Sequence, residues 1–314
     1  MRLWSVRKDG VEQAGIGTDR GIVPIETVNR ITGARWPITM LELLESGEYE
    51  AIRQWLSEED RELDSLPAIA PERVEAAPLL RRPRKIWGIG FNYAADAAEL
   101  AAADPSEEPV GFLKPDTSLI GPGEPIRLPS GEGWFTAEAE LAIVIGKACR
   151  DVSEEEAPRY VAGFAAALDM TAADVHARNP RFLTRAKSCD TFFSLGPELV
   201  SPDEIPDVSD LRVGTALNGQ AIHENVVRNM RYRPWYAVAF HSRFMTLLPG
   251  DILLTGTPGP VRIREGDTAE CRIAGFASLK NPVLVYIREY HEKEMSESCS
   301  INTIRPFLTA ISSN

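Results

Sequence analysis

No run in the 314 residues approaches the roughly 20 apolar residues that a membrane-crossing helix requires. That excludes a helical membrane protein. The first residues, Met1-Arg-Leu-Trp-Ser-Val-Arg-Lys-Asp9, lack the long apolar core of a secretion signal, so no leader is expected. Positive charge is scarce: 34 Lys and Arg face 46 Asp and Glu, a formal net charge of −12, which argues against a nucleic-acid partner. Cysteine is scarce too. Cys149, Cys189, Cys271 and Cys299 form no Cys-x-x-Cys pair, which excludes a zinc knuckle or a thioredoxin-type motif. They read as reduced thiols, and the expected location is the cytoplasm. His176, His223, His241 and His291 show no His-Glu-x-x-His spacing. Gly88-Ile-Gly90 lacks the third glycine of a dinucleotide fingerprint, and no Gly-x-x-x-x-Gly-Lys phosphate loop occurs.

What remains is ordinary soluble composition, 44% hydrophobic and 25% charged, organised around Thr136-Ala-Glu-Ala-Glu-Leu-Ala-Ile-Val-Ile-Gly146. Read at period two this is a strand. It puts Glu138 and Glu140 on one face and Leu141, Ile143 and Ile145 on the other. Two carboxylates on one face repel, and a cation between them relieves the repulsion. Mg²⁺ and Mn²⁺ take oxygen ligands of this kind. Asp169 closes a second apolar run, Gly163-Phe-Ala-Ala-Ala-Leu-Asp169, and Lys187 follows. Together Glu138, Glu140, Asp169 and Lys187 form a candidate metal-and-base site. Taken singly, each is as easily a solvated strand residue, a turn cap or a surface lysine.

Along the chain, Leu3–Val6, Val11–Ala14 and Gly21–Ile25 read as a strand meander, and Thr39-Met-Leu-Glu42 as a capping box opening a helix. Glu48 to Leu56 is helical, and Ser57 begins a further polar helical stretch. Leu66-Pro-Ala-Ile-Ala-Pro is a connector, so a small N-terminal α/β domain is placed at residues 1–80. Residues 81–290 form the catalytic domain and 291–314 a tail. Ser153-Glu-Glu-Glu156 is a second capping box, expected to open a helix through Tyr160. Asn218-Gly219 is a hairpin turn, and Trp235 to Phe244 has helical spacing. The class is α+β and strand-rich.

Several motifs stand in a fixed order: Gly90-Phe-Asn-Tyr93 with Glu99, Phe112-Leu-Lys-Pro115, Ala137-Glu-Ala-Glu-Leu-Ala142 and Asp169. Lys187-Ser-Cys-Asp-Thr-Phe192, Leu195-Gly-Pro197, Asn218-Gly219, Leu248-Pro-Gly-Asp251 and Thr255-Gly-Thr-Pro258 complete them. Over about residues 84–285 the chain resembles the fumarylacetoacetate hydrolase family. The resemblance implies a mixed β-roll fold, a homodimer, and Mg²⁺ or Mn²⁺ held by Glu138, Glu140 and Asp169. It also implies a 2-oxo or 1,3-dicarbonyl acid substrate, with Thr257, Gly256, Tyr93 and His176 as substrate-binding candidates. An N-terminal extension like residues 1–80 also occurs in that family. Two positions depart from the pattern. Hydrolytic members carry His where this chain has Asp96, although Glu99 is kept. Arg and Gln are frequent where this chain has Ala173 and His176.

A metal chelated by the 1-carboxylate and 2-oxo groups favours an enolate, the common step of keto–enol isomerisation and β-decarboxylation. Lys187 is expected to donate to the enolate oxygen, or to act as base if burial lowers its pKa. C–C hydrolysis of an acylpyruvate or fumarylacetoacetate type, the alternative, needs an aimed water. Only Asp96, a weak base unless burial beside Glu99 raises one carboxyl, is at hand for it. A further alternative is a family member without catalysis that works as a binding protein. Enolate chemistry of an oxaloacetate-like acid is the first expectation.

Overall fold

The computed structural model describes residues 1–58, 62–104, 106–130 and 133–286. The expectations for the 291–314 tail, for Cys299 and for His291 fall outside these residues.

Two sheets carry the chain. One has 13 strands along the order Gly21–Pro24, Val11–Thr18, Arg2–Lys8, Glu198–Val200, Val161–Ala172, Phe135–Ile145, Ile252–Leu254, Ile86–Gly90 and Val110–Lys114, with shorter strands off this path. Most neighbours are antiparallel, but Ile252–Leu254 runs parallel to Ile86–Gly90, so the sheet is mixed. The second sheet has five strands: Gln220–Val226, Arg212–Leu217, Thr268–Ile273, Leu279–Tyr286 and Ile126–Pro129. Helices are few and short, and the longest described ones span Glu48–Ser57 and Pro234–Phe244. This is the strand-rich α+β class expected.

The central pair is Phe135–Ile145 against Val161–Ala172, antiparallel over nearly its whole length with one irregularity between Val161 and Gly163. Both strands are buried on both faces, so alternation here sorts residues between two interiors rather than between core and water. Ala137, Ala139, Leu141, Ile143 and Ile145 join Phe164, Ala166, Leu168 and Met170 in a core shared with the five-stranded sheet. Ala142, Val144, Ala165 and Ala167 face the other way, onto Leu3, Ile16, Val28, Leu43 and Ile52 from the N-terminal residues. Glu138 and Glu140 lie on this second face, just past the apolar contact.

Local expectations are met where the side chains close their own turns. Thr39 accepts from the Glu42 N–H, and its hydroxyl donates to the Glu42 carboxylate at 2.7 Å, opening helix Met40–Ser46. Asn218 and Gly219, with φ of 51° and 83°, make the tight hairpin turn that two left-handed residues permit. Ser153 and Glu156 exchange the two bonds of a capping box at 3.0 and 3.2 Å, yet only a 3₁₀ turn, Ala157–Tyr160, follows instead of the expected helix. Pro158 supplies no N–H there, and the chain enters the Val161 strand at once. Helix Glu48–Ser57 ends at Ser57; the polar helical stretch expected from there falls partly on residues 59–61, outside the described ones, and the next described element is a 3₁₀ turn, Glu62–Ser65.

Candidate active site

Register decides which side chains meet. Asp169 stands directly opposite Glu138, and Ala167 opposite Glu140. Paired residues share a face, so the three acids of the two strands form one patch. Each offers an oxygen, and the three oxygens lie within 4.8 Å of one another. Asp169 and Glu140 are 0% and 1% exposed and Glu138 9%. Three buried carboxylates this close repel strongly unless donors and cations hold them.

Those donors are present, and they are directional. Thr136 and Thr171 donate to Glu138 Oε1 at 3.1 and 2.9 Å. The Gly256 N–H donates to Glu140 Oε2 at 2.6 Å. Lys114 Nζ bonds Asp169 Oδ1 at 2.6 Å, the Met170 carbonyl at 3.3 Å, and the Lys187 carbonyl. Lys187 Nζ, at the end of the short helix Leu183–Lys187, spans Glu138 Oε2 at 2.7 Å and Asp169 Oδ2 at 2.5 Å. Both oxygens of Glu138 and of Asp169, and one of Glu140, are therefore held by the frame. Hard oxygen donors, converging and oriented by neighbours, suit a divalent cation such as Mg²⁺ or Mn²⁺.

The electrostatics follow from burial. Desolvation, then the charge of Asp169, pushes the Glu140 carboxyl well above the usual range. Burial works to lower the Lys187 ammonium, but Asp169, Glu138 and Glu140 outweigh it and hold it raised. The Lys187 ammonium donates to Glu138 and Asp169 in this arrangement. Lys114 is the lysine that burial lowers, with Asp169 opposing.

The remaining sequence candidates are distributed differently. The Tyr93 hydroxyl is buried with no partner among the described residues, and burial and the nearby Glu140 push its pKa up. A buried donor without a partner is a group able to meet a ligand. Gly256, at φ 91°, has no room for a side chain, since a Cβ would come 2.9 Å from that of Asn92. Its backbone N–H orients Glu140. The Thr257 hydroxyl turns back to the Gly259 carbonyl and N–H, both at 3.2 Å. His176 is half-buried in helix Ala173–Arg178, its ring 6.2 Å from that of Phe91.

Asp96 and Glu99 are exposed. Asp96 caps helix Ala97–Ala101 by accepting from the Ala98 and Glu99 N–H groups, both at 2.9 Å, and Glu99 accepts from the Ala95 N–H at 2.7 Å. The burial imagined for this pair is absent. Sequence reasoning missed Lys114, Thr136 and Thr171. Lys114 had a signal: it is two residues from buried Phe112 on strand Val110–Lys114, in the inward phase.

A mixed, strand-rich sheet with a buried cluster of oriented carboxylates and lysines defines a metal-assisted enzyme for small acids. The sequence profile described as fumarylacetoacetate (FAA) hydrolase C-terminal matches residues 85–284, and the chain belongs to that family. It is 34% identical over 294 residues to the oxaloacetate tautomerase Fahd2a, mitochondrial, of Rattus norvegicus, covering 90% of this chain and 92% of the relative. A 2-hydroxyhepta-2,4-diene-1,7-dioate isomerase from Mycobacterium marinum is 36% identical, with a TM-score of 0.61 over 69% of this chain and 80% of its own. Maleylpyruvate hydrolase from Sphingobium sp. SYK-6, in complex with manganese (II) ion and pyruvate, is 28% identical. It superposes at a TM-score of 0.74 over 91% of this chain and all of its own.

Proposed function

We propose that this protein is a Mg²⁺- or Mn²⁺-dependent tautomerase of a 2-oxo acid, with oxaloacetate the first substrate to try. The observation that carries this is the buried set Glu138, Glu140 and Asp169 with Lys114 and Lys187. The three carboxylates would hold the ion. Bound there, the metal supplies Lewis acidity toward the carboxylate and 2-oxo oxygens of the substrate. The chain does the rest. Lys187 would donate toward the carbonyl oxygen as it gains charge, and the unpartnered Tyr93 hydroxyl near Glu140 would offer a second donor. Tautomerisation moves one proton off C3 and one onto oxygen and asks for no aimed water.

That last point separates the two readings. C–C hydrolysis would require Asp96 or Glu99 to abandon their capping bonds and turn inward. The hydrolase neighbour keeps this reading as the second one. The decisive assay follows enol–keto conversion of oxaloacetate and cleavage of an acylpyruvate, each with chelator and with added Mg²⁺ or Mn²⁺. Metal-dependent acceleration of the first supports the proposal; rapid acylpyruvate cleavage with oxaloacetate untouched overturns it in favour of hydrolysis.

The proposal includes a homodimer, supported by exposed Val110 and Leu113 on the strand at one end of the large sheet. It keeps the division into residues 1–80, 81–290 and 291–314. It also places the protein in a reducing compartment, the cytoplasm, in keeping with the free thiols of Cys149, Cys189 and Cys271. No described helix is long and apolar enough to cross a membrane.

A further inference from the structure

The geometry points to Arg262 as a specificity-determining residue that binds the carboxylate of the substrate lying farthest from the metal-chelating end. This rests on the functional reading above and names its substrate class: 2-oxo diacids rather than 2-oxo acids with a neutral tail. The short strand Val261–Ile263 runs antiparallel to Phe135–Ile145, with Arg262 opposite Thr136. Thr171 is opposite Thr136 on the other side. Thr171, Thr136 and Arg262 therefore form one row across a single face of the sheet. The next row on that face is Asp169 and Glu138. Two residues along a strand separate the rows by about 6.6 Å, the length scale of a four-carbon acid. Val261 and Ile263 are buried in the opposite core, which confirms that Arg262 projects to the carboxylate side.

The chemistry of the row changes along it. Thr136 and Thr171 are buried and spend their hydroxyls on Glu138. Arg262 is exposed, and its guanidinium has no carboxylate within ion-pair distance among the described residues. Instead its Cζ lies 5.8 Å from the centre of the Trp134 ring. The Trp134 carbonyl in turn accepts from the Ala173 N–H at 2.7 Å, tying this residue to the start of helix Ala173–Arg178. An aromatic plane under a guanidinium leaves the planar fork of N–H donors free at its edge, the geometry that receives a carboxylate in two parallel hydrogen bonds. In a chain of net charge −12, an unpaired guanidinium one row from the acids is a selective anchor for a second negative charge.

The test compares wild type, Arg262→Gln and Arg262→Lys, each loaded with Mn²⁺, on oxaloacetate and on an acylpyruvate with a neutral methyl tail. Binding of pyruvate and of 2-oxoglutarate to the same proteins is measured by calorimetry. Arg262→Gln should raise KM for oxaloacetate roughly tenfold or more, with kcat within about twofold, and weaken 2-oxoglutarate by a similar factor. Pyruvate binding and the neutral-tail substrate should not move, and Arg262→Lys should fall between. Equal effects on charged and neutral tails, or none on either, overturn the role of Arg262 while leaving the tautomerase reading standing. A wild type that binds neither Mn²⁺ nor any of these acids overturns both.

Discussion

Replacing Lys187 by methionine tests the electrostatic account of the cluster directly. The Lys187 ammonium lies 2.7 Å from Glu138 and 2.5 Å from Asp169, and its side chain is only 7% exposed. Methionine fills similar volume without charge. It leaves the three buried carboxylates with the single ammonium of Lys114, which is paired with Asp169. Removing one partner of a buried pair costs about 3–5 kcal/mol, because the other stays desolvated and uncompensated. An unfolding entropy of about 2.1 cal/mol/K per residue gives roughly 0.65 kcal/mol/K for a chain of this length, so the melting temperature should fall by about 5–8 °C. The measurement is thermal unfolding in chelator and again with excess Mn²⁺. The ion should restore much of the deficit, since it returns positive charge to the same oxygens, so the variant should gain more from Mn²⁺ than wild type does. A variant that melts within about a degree of wild type in chelator would refute the reasoning, for the ammonium would then compensate nothing.

Three further outcomes follow from other contacts. Thr171→Val removes a donor to Glu138 Oε1, and Mn²⁺ affinity measured by calorimetry should weaken by roughly 10-fold or more, as for other groups that orient a metal ligand. Asp96→Ala should cost about 1 kcal/mol as a lost helix cap yet leave Mn²⁺ affinity and tautomerisation unchanged; a collapse of activity would bring the pair with Glu99 back into the chemistry. Glu270 tests pH dependence. Burial works to raise its carboxyl, but hydrogen bonds from Arg272 and Ser278 outweigh it and hold the pKa at about 2. A depressed carboxyl stabilises the fold above its unfolded pKa, and that contribution fades as pH falls from about 4.5 toward 2. Glu270→Gln should therefore flatten the acid limb of the stability curve in that window, and an unaltered limb would show that the pairing contributes nothing.

How far the site could be read from the sequence depends on how local each relation is. The shared face of Glu138 and Glu140 follows from the pitch of one strand, and the Thr39 and Ser153 capping boxes close within three residues. The Asp96–Glu99 pattern was just as local, but its helical meaning and its chemical meaning compete, and the bonds show the capping one. Lys114 lies 55 residues from Asp169 and 73 from Lys187. No pattern along the chain relates them, because the link is an edge strand and a crossover.

By itself, the order of residues determined which side chains alternate, where turns close, that Glu138 and Glu140 share a strand face, and that the sheet would dominate. Only tertiary structure decided that Asp169 faces Glu138, that Lys114 and Gly256 each fix one carboxylate oxygen, and that Arg262 joins the row of Thr136. The reason is that a strand fixes its own faces by backbone geometry over two residues, whereas its register against a neighbour is set by everything packed on both sides.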